Sequence, residues 1–205
     1  MIADLHVHTH YSKCSNNPPA LILKKAKKIM DAIAITDHDT LKGALAVKKL
    51  NKDKDFEVIV GCEFKTKAGD IIGYYVNEEI KTKDPLEVID EIHSQGGIVS
   101  IPHPFDFFRM EAMRFHVKEV IKKVDLIEGV NGRNFFLFNK FASYYARKHS
   151  KPIIGGSDAH FIQEVGRVMT DFKKTIRKPN KIVIRRFPFS WIFYSGKSKV
   201  IKLRR

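Results

Sequence analysis

The sequence predicts an α/β fold on parallel strands, either closed into a barrel or left as an open sheet. Three observations predict it. Short apolar runs alternate with amphipathic stretches, strand then helix, about six times along the chain. Nearly every run ends in His, Asp or Glu, and parallel α/β folds gather function at the carboxyl ends of their strands. The 205 residues are 43% hydrophobic, ample for one core of ordinary to large size.

Ile2 to His8 reads as the first strand. Its period of two sets Asp4, His6 and His8 on one face and Ala3, Leu5 and Val7 on the other. Asn16-Asn17-Pro18-Pro19 is a loop with an Asn cap before an amphipathic helix over Leu21 to Met30. Ala32 to Ile35 is a strand ending at Thr36-Asp-His-Asp39, and Leu41 to Leu50 a second helix. Phe56 to Val60 is a third strand, ending at Gly61-Cys-Glu63, and Phe64 to Val76 a hairpin broken at Ala68-Gly69-Asp70. Asp84-Pro85 with Glu87 starts a helix that Gly96-Gly97 closes. Ile98 to Ile101 is a strand ending at Pro102-His103-Pro104. Then come a helix over Met113 to Val124, a strand at Leu126-Ile127, and a long aromatic helix from Phe135 to His149. Pro152 to Ile154 is a strand that runs out at Gly155-Gly-Ser-Asp-Ala-His160, and Val168 to Phe172 is one more. Beyond it, Ile182 to Ile184, Trp191 to Tyr194 and Val200 to Leu203 are short β-like runs.

Charge divides the chain. Most of the net +14 resides in the tail, where residues 173–205 hold 12 Lys and Arg and no acid, against 25 basic and 23 acidic groups before it. This sets domain expectations of a body over 1–172 and a basic appendage over 173–205. No apolar run is long enough for a transmembrane helix. His6 follows the start too closely for a signal peptide, so a cytoplasmic location is expected.

Five strand ends thus deliver His6, His8, His38, Glu63, His103, Asp158 and His160 to one mouth. Glu63 suits a bridging role, because a carboxylate can hold two cations. His38 is favoured over its neighbours, with Asp37 behind it and Asp39 a bystander. Prolines on either side stiffen the mount of His103. His10 lies past the first strand with its direction open, while His93, His116 and His149 read as helical surface. Cys62 alternates away from Glu63 into the core, and Cys14 remains open as a ligand. Seven donors exceed the three protein ligands of a single catalytic zinc. The mixture of imidazole and carboxylate therefore points to two or three divalent ions, Mn, Zn or Fe.

Asp4-Leu-His-Val-His-Thr9, Thr36-Asp-His-Asp39, Gly61-Cys-Glu63, His103-Pro104 and Gly156-Ser-Asp-Ala-His160 resemble, in order, the motifs of the PHP (polymerase and histidinol phosphatase) superfamily. The resemblance covers about residues 2–172. It implies a distorted (β/α)7 TIM-like barrel carrying a two- or three-metal phosphoesterase centre. By that resemblance, His6, His8, Glu63 and Asp158 hold one metal, Glu63 and His103 belong to a second, and His38 and His160 to a third. The chain departs from the family pattern at Lys13-Cys14, where an Asp or His is common, and in offering Asp70 where many members have a hairpin His. The Arg often seen after the His-Pro motif is replaced by Asp106, with Arg109 next.

The expected reaction is in-line attack of a metal-bound hydroxide on the phosphorus of a nucleotide, sugar phosphate or oligonucleotide end. Asp158 or His160 would manage protons, Arg109 or Arg133 would grip phosphate oxygens, and Asp4 and Asp37 would support the ligands. The expected partner is a small phosphorylated substrate, without a membrane. The alternatives are C–N hydrolysis of the amidohydrolase type, weakened by the lack of an obvious carboxylated lysine, and a nucleic-acid-binding subunit using the basic, aromatic tail.

Overall fold

The structure is a computed structural model that describes residues 1–106 and 117–185. Its strands are β1 (Ile2–Asp4), β2 (Ala32–Ile35), β3 (Glu57–Thr66), β4 (Gly69–Tyr74), β5 (Ile98–Ile101), β6 (Leu126–Asn131), β7 (Ile153–Gly156), β8 (Val168–Phe172) and β9 (Pro179–Ile184). The helices are α1 (Pro19–Ala26), α2 (Lys42–Leu50), α3 (Pro85–Ser94), α4 (Val117–Lys123) and α5 (Phe136–Lys148).

One nine-stranded sheet takes the order β7-β6-β5-β4-β3-β2-β1-β8-β9. β1, β2 and β3 are parallel, as are β5, β6 and β7, while β4 runs antiparallel to both its neighbours. The hairpin thus replaces one helical crossover and still leaves β5 parallel to β3. The sheet curls until its ends meet. Val7 bridges Ala159 in parallel, with His8 N donating to the Ala159 carbonyl at 3.0 Å. β8 departs from this seam to pair antiparallel with the start of β1. The Thr170 hydroxyl accepts from Gly155 N at 2.8 Å and donates to Gly155 O at 2.9 Å, closing the gap on that side. The result is a distorted, nearly closed TIM-like barrel.

Strands buried on both faces explain the continuous apolar runs. In β2, Ala32 and Ala34 fill the lumen with Ala3, Leu5, Ile59, Ile72 and Tyr74, while Ile33 and Ile35 pack outward against the helices. In β2 the small side chains thus face the interior and the large ones the helix layer. Asp84 caps α3 by accepting from Leu86 N and Glu87 N, and Gly96, at φ +76°, ends it. No helix among the described residues is long and apolar enough to cross a membrane.

Three local features differ from expectation. The alternation of the first strand slips, since Ala3 and Leu5 lie in the inner core but Val7 in the outer one. Regular pairing ends at Asp4, whose carboxylate is drawn to Ser157 and Gly166. Asn17 does not cap α1, because its amide is used to hold the His8 carbonyl at 3.1 Å. Of the expected tail runs, Ile182 to Ile184 falls within β9, paired to β8 in the main sheet. Trp191 to Tyr194, Val200 to Leu203 and the start of the helix expected from Met113 lie outside the described residues.

Candidate metal centre

The chain leaves β1 extended and places His6 and His8 at the barrel's carboxyl rim, where both are fully buried. β2 ends in Asp37 and His38, and His38 bridges Glu63 of β3. β5 delivers His103 and β7 delivers Asp158 and His160. His103 (φ 30°) and Asp158 (φ 52°) are non-glycine residues in the left-handed region, strain of about 1–3 kcal/mol each that concentrates at functional sites. His103 is held there by its own N–H, which donates to Glu128 at 2.8 Å.

Donor atoms converge closely. His6 Nε2 is 3.1 Å from His8 Nε2, and both nitrogens are 3.3 Å from Glu63 Oε2. Asp158 Oδ1 is 3.3 Å from His8 Nε2 and 3.6 Å from His6 Nε2. Four donors set tetrahedrally at about 2.0–2.2 Å from one ion would stand roughly 3.3–3.6 Å apart. The separations from His6 and His8 to each other and to the two carboxylates therefore fit ligands of one divalent cation. The second Glu63 oxygen turns to His103 Nε2 at 2.9 Å, so the carboxylate divides between two sets of donors. Further groups within ligand spacing are His6–Glu63–His103, His38–Glu63–Asp70 and His8–Cys14–His38. Buried His38 Nδ1 and His103 Nδ1 have no hydrogen-bond partner.

The electrostatics agree with this fit. Burial would push the His6 pKa down, but Glu128, Asp158 and Glu63 around it drive it well above 6.5. His8 is raised likewise, with Asp158 and Glu63 outweighing burial. Glu63 is held well below the usual carboxylate range, because His38, His6 and His103 overcome its burial. Burial pushes His38 down to about 4, only partly offset by Glu63. A knot of imidazoles and carboxylates this dry calls for compensating positive charge, and either protons or metal ions can supply it.

Supporting contacts fix the tautomers. Glu128 Oε1 takes His6 Nδ1 at 3.0 Å, so Nε2, once it gives up its proton, is the lone pair directed into the cluster. His160 Nδ1 lies 2.8 Å from the Asp158 carbonyl, an acceptor only, so Nδ1 carries the hydrogen and Nε2 is the basic nitrogen. Burial and the Arg133 charge hold His160 well below 6.5, in its neutral form.

Asp4 lies behind the cluster and accepts from Ser157 N at 2.9 Å, Gly166 N at 2.8 Å and the Ser157 hydroxyl, tying β1 to the loop that carries Asp158. Asp37 accepts from Thr9 N at 2.7 Å and Thr9 Oγ1 at 2.6 Å, which anchors the segment after His8. Arg133 is 8% exposed and reaches Glu164 at 3.1 Å. Asp39 turns away to Lys83, and His10 is exposed beside Tyr11. Arg109 lies outside the described residues.

Sequence reasoning missed Glu128, Asn131, Ser12 and Glu164. Glu128 follows Leu126-Ile127 directly, so the strand-end rule that found the others could have found it. Asn131 donates to Glu128 at 2.9 Å and to Asp158 at 3.3 Å. Ser12 takes the His38 N–H at 2.8 Å, and Glu164 takes the His160 N–H at 2.8 Å. Ser12 comes from a turn and Glu164 from a short 3-10 helix, Ile162–Glu164, and neither carried a positional signal.

The sequence pattern of the PHP domain matches residues 4–157, and that of a PHP-associated region matches 136–184. An uncharacterized protein of Methanocaldococcus jannaschii is 37% identical over 194 residues, which is 91% of this chain and 77% of the relative. A solved structure from Bifidobacterium adolescentis, named as a candidate metal-dependent phosphoesterase, superposes with a TM-score of 0.66 at 15% identity, covering 78% of this chain and 87% of that one. An amidohydrolase of Chromobacterium violaceum, solved with sulfate and no metal, gives the same TM-score and identity over 84% of this chain and 92% of that one. At such identities the structures speak for the fold alone. The ordered motifs, the barrel and the matched sequence pattern together place this chain in the PHP domain family.

Proposed function

We propose that the chain is a metal-dependent phosphoesterase acting on a small phosphorylated substrate. The observation that carries the reading is the pair of His6 and His8 Nε2 atoms, 3.1 Å apart, each standing 3.3–3.6 Å from a carboxylate oxygen of Glu63 and of Asp158. His6, His8, Glu63 and Asp158 would hold one ion, and Glu63 with His103 a second. Cys14, His38, Asp70 and His160 are the donors left for a third. When bound, such ions polarise phosphoryl oxygens and activate water at neutral pH.

The chain's own residues do the rest. With no third ion on it, neutral His160, its Nδ1 fixed on the Asp158 carbonyl, offers Nε2 to accept a proton and later return it to the leaving oxygen. Asn131 and Glu128 hold Asp158 and His6 in place while charge shifts between them. Arg133, fixed by Glu164 beside His160, places a positive charge where phosphoryl oxygens gather. Arg109 is proposed for the same task.

The test is elemental analysis of the purified protein beside hydrolysis of p-nitrophenyl phosphate, nucleotides, sugar phosphates and a short oligonucleotide. An amino-acid p-nitroanilide tests C–N hydrolysis, since the similar barrel of an amidohydrolase keeps that reading open. His6→Ala and Asp158→Asn are each expected to cut phosphatase activity at least about a hundredfold, the upper end of what loss of a supporting partner costs. Bound metal with every phosphate ester inert and the anilide cleaved would overturn the assignment.

A further inference from the structure

β3 does not stop at Glu63. It continues to Thr66, paired residue by residue with β4. A period of two puts residue 65 on the same face as residue 63, about 6.6 Å farther along the strand. Packing fixes the phase. Val58, Val60, Cys62 and Phe64 lie in the outer core and Ile59 in the lumen, so Glu63 and Lys65 share the face that opens on the mouth. Opposite Lys65 in the ladder stands Asp70, a member of the His38–Glu63–Asp70 donor group.

The backbone there is pinned. Lys65 N donates to Asp39 Oδ1 at 3.0 Å, and the same oxygen takes Lys83 Nζ at 2.9 Å. Asp39 is thus engaged with a different ammonium. Lys65 itself is exposed, and among the described residues no carboxylate forms an ion pair with it. Arg133, another cation near the cluster, follows β6 and is paired to Glu164. The β3 side of the mouth therefore carries an uncommitted cation beside the donor cluster.

We propose that Lys65 is a substrate-binding residue whose ammonium takes a non-bridging oxygen of the phosphoryl group presented to the His6–His8–Glu63–Asp158 cluster. The proposal rests on the phosphoesterase reading and adds a specificity element to it. A compact ammonium on a flexible stem suits the task, because it can follow a phosphoryl group whose geometry changes during transfer. Hydrogen bonds between charged partners are the strong ones.

The test uses the full chain loaded with Mn²⁺, comparing wild type with Lys65→Ala and Lys65→Arg. Three quantities are measured: metal content, kinetics on p-nitrophenyl phosphate, and orthophosphate binding by calorimetry. Lys65→Ala should raise both KM and the orthophosphate Kd by roughly tenfold or more, the worth of one charged hydrogen bond. Metal content should stay unchanged, and Lys65→Arg should recover most of the loss. The orthophosphate affinity of the wild type should also fall more steeply with added salt than that of Lys65→Ala. Wild-type KM and Kd in Lys65→Ala would overturn the proposal, as would loss of metal from that variant. A metal-loaded wild type that neither hydrolyses the ester nor binds orthophosphate would instead remove the phosphoesterase reading beneath it.

Discussion

Cys14 is the residue at which this chain departs most from an all-imidazole and carboxylate centre. Its sulfur lies within ligand spacing of His8 and His38, in a corner where His38 is held at about 4 and so stays neutral at physiological pH. A thiolate is a soft donor that favours Zn or Co over Mn, whereas oxygen donors favour the reverse. Cys14→Ser is expected to shift the preference of the protein toward Mn²⁺. It should also remove the thiolate-to-metal charge-transfer absorption of the cobalt-loaded form. An unchanged cobalt spectrum would exclude the thiolate from the centre. His6, His8, Glu63 and Asp158 could be read from the sequence because each ends a recognisable apolar run. Glu128 was open to the same rule, since it directly follows the Leu126-Ile127 run, although the ladder carries on past it to Asn131. Lys65 carried no signal at all, because an exposed lysine in a hairpin gains meaning only from the register that sets it above Glu63.

At the scale of elements, α2 meets the first loop with no space to spare. A Cβ on Gly43 would stand 1.8 Å from Asp37 Oδ2 and 2.3 Å from Thr9 Oγ1. Those two atoms are partners in the bond that anchors the segment after His8. Gly43→Ala should therefore push them apart and cost about 2–4 kcal/mol, combining overpacking with a buried polar pair broken. Urea unfolding of the metal-free protein would show it, and metal affinity should fall as well because His8 moves with Thr9. An unchanged midpoint would mean that α2 can retreat. Apolar runs and caps made these elements legible, with Asp84 and Gly96 bounding α3 as expected. The slip in β1 was not legible, because it depends on Ser157 and Gly166, residues remote in sequence that capture the Asp4 carboxylate.

For the whole molecule, the centre couples metal, protons and stability. In the metal-free protein His6 and His8 hold protons to a higher pH than free imidazole, with carboxylates outweighing burial in both. A histidine whose folded pKa is raised adds stability that is fully present below its unfolded value, near 6.5, and is lost as pH rises through the folded value. Protonated His6 and His8 thus stabilise the metal-free barrel in mild acid and cease to do so toward alkaline pH, while His38 and His160, held neutral by burial, act in the opposite sense. A metal ion must displace the same protons, so its apparent affinity changes in the opposite sense. It should rise with pH across the neutral range, by up to about tenfold per pH unit for each proton displaced. Because the ion binds only the folded chain, metal at a hundred times Kd should add about 2.7 kcal/mol to stability. The gain in melting temperature on adding metal, loaded minus metal-free at the same pH, should consequently increase from pH 6 to pH 8. Calorimetric titrations in buffers of different ionisation enthalpy count the protons released. Their absence, together with a metal affinity independent of pH, would show that the cluster is already deprotonated and that some other charge balances Glu63 and Asp158.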